Sequence, residues 1–232
     1  LVFAASILCR LTGVPPLVIG MTVVSVGTSL PEIIVSVSAS LHGQLDLAVG
    51  TAIGSNIVNI LLILGLAALL HPFRVHSDVL RRELPLMLIV SLLAGCVFYD
   101  GILSVSDGIF LLALAVIWLL YSVKIARLAE KQGHDSLTRE QVAELPREGT
   151  LPVALLWLGV ALIIMPMATR MVVDNATVVA NYFAISELTI GLTVIAIGTS
   201  LPELATAIAG ARKGEDDIAI GNIIGSNIFN IA

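Results

Sequence analysis

Long apolar runs separated by short polar connections make up most of this chain. A helix rises about 1.5 Å per residue and a bilayer core is about 30 Å thick, so about 20 mostly apolar residues suffice to cross it. The runs are 15–41, 47–70, 84–98, 103–123, 151–170, 186–211 and 217–232, of which 84–98 is short and the last ends while still apolar. Residues 1–12, carrying Arg10, read as an amphipathic remnant after an earlier span, and the whole as a fragment of a longer transporter-like chain. The pattern predicts an all-α integral membrane protein.

Lys and Arg in the connections assign the two sides. With the segments alternating in direction, one side collects Arg10, Arg74, Arg81, Arg82, Lys124, Arg127, Lys131, Arg139, Arg147, Arg212 and Lys213, and the other only Arg170. The first side is therefore expected to be cytoplasmic. It includes the longest connection, 124–150, where Thr138 and Gln141 have the spacing of a capping box for a short surface helix in a solvated linker.

Composition agrees with this pattern. Hydrophobic residues make up 57% of the chain and charged residues 12%, with a mean hydropathy of +1.02, whereas soluble domains are roughly 25% charged. The net charge of −5 comes with no basic stripe, which excludes a nucleic-acid partner. The two cysteines, Cys9 and Cys96, form no disulfide framework and read as apolar fillers. His42, His71, His76 and His134 all fall in connections, which argues against a buried His-ligated zinc or a Ser-His dyad. No cofactor motif occurs, and an enzyme is the least favoured class.

An internal repeat changes the picture most. LVIGMTVVSVGTSLPE from Leu17 matches LTIGLTVIAIGTSLPE from Leu188 at 11 of 16 positions. At the same offset of 171, LDLAVGTAIGSNIVNI from Leu45 matches DDIAIGNIIGSNIFNI from Asp216 at 10 of 16. The first spans of the two copies lie five segments apart, so they cross the membrane in opposite directions. Residues 15–123 then hold the first inverted repeat, 124–150 the cytoplasmic loop, and 151–232 one more span with a truncated second repeat. Inverted repeats are a transporter architecture, with the substrate site near the midplane where interrupted helices of both copies meet.

The chemistry concentrates in the repeated motifs. Deep in the spans the carboxylates are Glu32 and Glu203, which close the two GTSLPE copies, and each costs several kcal/mol in lipid unless neutralised, paired or solvated. Pro31 and Pro202 precede them and remove a helical hydrogen bond, freeing carbonyls near Gly27, Thr28, Gly198 and Thr199. Thr28, Ser29, Thr199 and Ser200 add hydroxyls one turn before each Glu. In the second motif, Ser55 and Asn59, and likewise Ser226 and Asn230, stand four apart on one helix face, with Asn56 and Asn227 beside them. The GxxxG pairs Gly50–Gly54 and Gly221–Gly225 favour close helix packing. Carboxylate, hydroxyl, carbonyl and amide oxygens suit hard cations such as Na+, Ca2+ or Mg2+. Two ionised Glu balance one Ca2+ or two Na+, so such a site can exchange one for the other.

The paired GTSLPE and GSN-x-x-N motifs resemble the two alpha repeats of the calcium/cation antiporter superfamily, within it the sodium/calcium exchanger family and its bacterial YrbG-like inner-membrane branch. The resemblance implies an exchanger-like bundle of ten helices with both termini outside, of which this chain would hold about seven. It implies that Glu32 and Glu203 are the acidic ligands of a central Ca2+, helped by Thr28 and Thr199 through their carbonyls. Ser29, Ser55, Asn59, Ser200, Ser226 and Asn230 would complete flanking Na+ sites. Members of the family often carry Asp where Asn59 or Asn230 stands, and two Asn here remove one negative charge. The expected function is Ca2+/Na+ antiport by alternating access in a bacterial inner membrane. Coupling to K+ or H+, including Ca2+/H+ exchange, is the alternative, and a non-transporting membrane scaffold is the rival outside transport.

Overall fold

A computed structural model describes residues 2–12, 14, 16–72, 83–132 and 150–231. The expected capping box at Thr138 and Gln141, together with His76 and His134, lies outside the described residues. Every described element is helical, as the apolar runs require when no water is present to satisfy a strand edge.

Helix α1 is Val2–Thr12. Helix α2 starts as Pro16–Ile19, passes through a π-helical turn at Gly20–Val24 and ends as Ser25–Thr28. After a break at Ser29, α3 is Leu30–Leu41. Helix α4 spans Leu45–Leu70 with a second π-helical turn at Val58–Ile63. Then follow α5 (Leu84–Val97), α6 (Val105–Gln132) and α7 (Leu151–Tyr182). The second repeat supplies α8, made of Glu187–Ile190, a π-helical turn at Gly191–Ile195 and Ala196–Thr199, then α9 (Leu201–Lys213) and α10 (Asp216–Ile231).

Among the described residues, four stretches can cross a membrane by length and composition: Leu45–Leu70, Val105–Ser122, Leu151–Ala168 and Leu188–Lys213. The pair Gly20–Thr28 and Leu30–Leu41 makes a fifth, bent by 48° at its break. The equivalent stretch of the second repeat, Leu188–Lys213, carries its break at Ser200 with a smaller bend and counts as one span. Helix α7 continues well past the expected boundary at 170. Arg170 and Asp174, one turn apart, pair across its surface at 3.7 Å.

The two repeats pack crosswise. A Cβ on Gly20 would lie 2.6 Å from the Ile218 carbonyl oxygen, and one on Gly225 would lie 2.5 Å from that of Met21, so α2 and α10 touch backbone to backbone. The equivalent crossing joins α8 to α4, where a Cβ on Gly191 would stand 2.8 Å from the Leu47 oxygen and one on Gly54 2.7 Å from the Leu192 oxygen. Each repeat thus packs its first helix against the second-motif helix of the other.

Helix α10 lies at the centre, buried from Ile218 through Ile228. Its Ile220, Ile224 and Ile228 join Met21, Met87, Val90 and Trp118 in the largest apolar cluster, and Phe229 meets Trp118 edge to face at 5.0 Å. Cys9 fills a second cluster beside Ala5, Ile19, Val24 and Ile218, whereas Cys96 is exposed. The outward faces of α5, α6 and α7 carry exposed Leu92, Leu112 and Leu156, the surface a hydrocarbon solvent covers without cost.

Candidate functional site

The two helix breaks place the site. Ser29 (φ −80°, ψ 1°) and Ser200 (φ −82°, ψ 6°) leave helical geometry at equivalent points, with Pro31 and Pro202 in the first turn beyond. A proline cannot donate to the carbonyl four residues back, so Gly27 and Gly198 lose their helical donor. Glu32 and Glu203 sit in the opening turns of α3 and α9, 2% and 0% exposed.

The hydroxyls around these carboxylates are exchanged between the repeats. Ser200 donates to Glu32 Oε1 at 3.2 Å, and Ser29 donates to Glu203 Oε1 at 3.4 Å. Thr199 also faces Glu32, Thr28 faces Glu203, and Glu203 lies close enough to Glu32 to act on it electrostatically. Ser226 gives Glu203 Oε1 a further bond at 3.2 Å and lies 3.3 Å from the Thr28 hydroxyl. Its mate Ser55 instead contacts the Thr199 hydroxyl at 3.4 Å. Among the described residues, eight of the ten residues singled out in the sequence therefore join one buried polar cluster: Glu32, Glu203, Thr28, Thr199, Ser29, Ser200, Ser55 and Ser226.

The other two behave differently. Asn59 donates to Asn227 Oδ1 at 3.1 Å, while both polar atoms of the Asn230 side chain are buried with no hydrogen-bond partner among the described residues. Three further amides take part. Asn56 donates to the Asn227 carbonyl at 2.9 Å, Asn227 reaches Met87 Sδ at 3.7 Å, and Asn222 Oδ1 accepts from Thr28 at 2.9 Å. The repeat pattern does not single out Asn222, because its mate is Thr51, whose hydroxyl bonds its own helix at the Leu47 carbonyl. Glu83, at the head of α5, is a further buried carboxylate and has interactions of its own.

Counting donors against acceptors shows what the cluster can hold. Glu32 Oε2, Glu203 Oε2, Asn56 Oδ1, Asn59 Oδ1 and Asn230 Oδ1 are buried without a donor among the described residues, against the two unpartnered amide donors Asn222 Nδ2 and Asn230 Nδ2. A buried acceptor without a donor costs about 1–3 kcal/mol, more if charged. Such a surplus of hard oxygens is the donor set for an alkali or alkaline-earth cation. Among the described residues no group of three or more His, Cys, Asp or Glu comes together, as a resident transition-metal centre would need.

Comparison with known proteins agrees with this geometry. The pattern defining the family described as "Sodium/calcium exchanger protein" matches residues 1–124 and 153–232. The chain belongs to that family. It is 81% identical over 231 residues to the inner membrane protein YrbG of Escherichia coli strain K12, an alignment covering 100% of this chain and 71% of that protein. It is 45% identical to the putative antiporter CaxA of Alkalimonas amylolytica, over 99% of this chain and 72% of that protein. Among solved structures, the sodium-calcium exchanger NCX_Mj soaked with Na+ and Ca2+ superposes with a TM-score of 0.77 at 34% identity, over 99% of this chain and 72% of that one. This exchanger-family chain is accordingly a multi-pass membrane protein of the antiporter class and not an enzyme.

Proposed function

We propose that this chain exchanges Ca2+ for Na+ across a bacterial inner membrane, by alternating access at the cluster between its two repeats. The observation that carries this reading is the reciprocal pairing of Glu32 with Ser200 and of Glu203 with Ser29. It gives two buried carboxylates, one from each repeat, each with an oxygen left over for a cation.

In this reading Glu32 and Glu203 bind Ca2+ directly, and the backbone oxygens freed around Thr28 and Thr199 cap it from either side. Ser29, Ser55, Ser200 and Ser226 supply hydroxyl oxygens to Na+ when Ca2+ has left, and Asn59 and Asn230 contribute amide oxygens. Because both of the latter are neutral, the site's formal charge is −2, which one Ca2+ or two Na+ cancel. Keeping the occupied site near neutrality in both states avoids a large desolvation penalty on either half of the cycle. Two protons would cancel the same charge, so Ca2+/H+ exchange is the reading to be separated by experiment.

The test is 45Ca2+ uptake by the full-length protein in Na+-loaded proteoliposomes. Uptake is expected to require the outward Na+ gradient and to fall to background in Glu32→Gln and in Glu203→Gln. Uptake that ignores Na+ but follows a pH gradient would replace Na+ by H+ as the coupling ion. Folded protein that moves no cation would return the chain to the scaffold reading.

A further inference from the structure

A cavity of about 500 Å³ opens beside the cluster and leads away from it. Its inner end is at Pro31, the residue before Glu32, with Ile34, Met167 and Ile195 around it. Its other end is polar, with Ser38 and Gln44 facing Arg170 and Asp174. On the Lys and Arg count that end is the outer one, and Arg170 is the only basic residue on that side. Both Arg170 and Asp174 are largely exposed there, 3.7 Å apart.

We infer that this cavity is the outer vestibule through which cations reach the site, and that Asp174, opposed by Arg170, sets how readily they enter. The inference rests on the cation-exchange reading above. A passage for cations has no use for a lone positive charge at its mouth. Asp174 cancels that charge in place, so the mouth keeps a carboxylate without a net repulsion. The pair is too exposed to add much stability, since surface ion pairs contribute little. Its effect is on the local potential, and a potential acts on ions in proportion to their valence.

The proposal gives a valence signature. At low ionic strength, where screening is weak, a unit charge about 8 Å from the entering ion in water changes its local concentration about two- to threefold if monovalent, and about five- to sixfold if divalent. In the full-length protein, Asp174→Asn is expected to raise KM for external Na+ about two- to threefold and KM for external Ca2+ by about the square of that factor, with kcat unchanged. Arg170→Gln shifts both the other way, the double variant lies near the parent, and all shifts vanish near 1 M salt, where the Debye length is about 3 Å. Equal shifts for both ions, shifts surviving high salt, or a change confined to kcat would overturn the proposal.

A second readout does not depend on transport. In a Cys96→Ser background, Ser38→Cys should react from outside with a cationic thiosulfonate, more slowly once Asp174 is neutralised, while its reaction with a neutral reagent stays constant. If the parent moves no Ca2+, the exchange reading fails while this thiol reaction still judges the vestibule. A Ser38→Cys variant whose new thiol stays unreactive, or reacts alike with both reagents whether or not Asp174 is neutralised, overturns the vestibule whatever the transport result.

Discussion

Ser226 and Ser55 occupy the same position of the two repeats, yet only Ser226 bonds a carboxylate, and the difference has a measurable consequence. A hydrogen bond to a charged group contributes about 1.5–3 kcal/mol, so Ser226→Ala should destabilise the protein by about that amount, and Ser55→Ala by much less. Chemical unfolding of the purified full-length variants checks this. The carboxylates and their hydroxyl partners are legible in the sequence because the motif occurs twice at one offset and is expensive to keep in lipid. The inequality of the copies is not, because an alignment treats matched residues as equivalent. Asn222 escapes notice for the opposite reason: its mate is Thr51, and a polar residue matched to a different one does not register as a motif.

At the scale of elements, the crossings of α2 with α10 and of α4 with α8 depend on glycine where a side chain would meet backbone. Gly225→Ala would place a methyl 2.5 Å from the Met21 carbonyl, in a contact where neither helix can yield without shifting the cluster behind it. A destabilisation of about 1–3 kcal/mol is expected, read as a lower Tm of the detergent-solubilised protein. Gly65→Ala has no atom within 4 Å of the new methyl and serves as the neutral comparison. The helices themselves can be read from the sequence because spanning hydrocarbon demands long apolar runs. The π-helical turns at Gly20–Val24, Val58–Ile63 and Gly191–Ile195 cannot, since one extra residue in a turn hardly disturbs a pattern that is apolar all round. Nor can the length of α7, which runs on to Tyr182 after Arg170 and Asp174 have interrupted the apolar run.

For the molecule as a whole, sidedness is the expectation that most needs a direct measurement. In a Cys96→Ser background, Tyr99→Cys and Lys213→Cys should be labelled by an impermeant maleimide from opposite faces of the membrane, Tyr99→Cys from outside. Tyr99 is 92% exposed and Lys213, in the last turn of α9, is exposed too, so both thiols are accessible. Labelling of Tyr99→Cys from inside and Lys213→Cys from outside would reverse the assignment of the loop 124–150 and of the vestibule, and labelling of both from one face would overturn the count of spans between them. The reciprocal bonds between the repeats also bear on how the protein is made. Glu32 leaves the ribosome well over a hundred residues before Ser200, its hydroxyl donor. Throughout that interval the first repeat must carry a carboxyl into the membrane without the partner that will hold it, at a cost of several kcal/mol if charged. Biogenesis therefore has to shelter Glu32, as a neutral acid or in the water of the insertion machinery, until the second repeat arrives, and a chain stopped between the repeats is a substrate for membrane quality control.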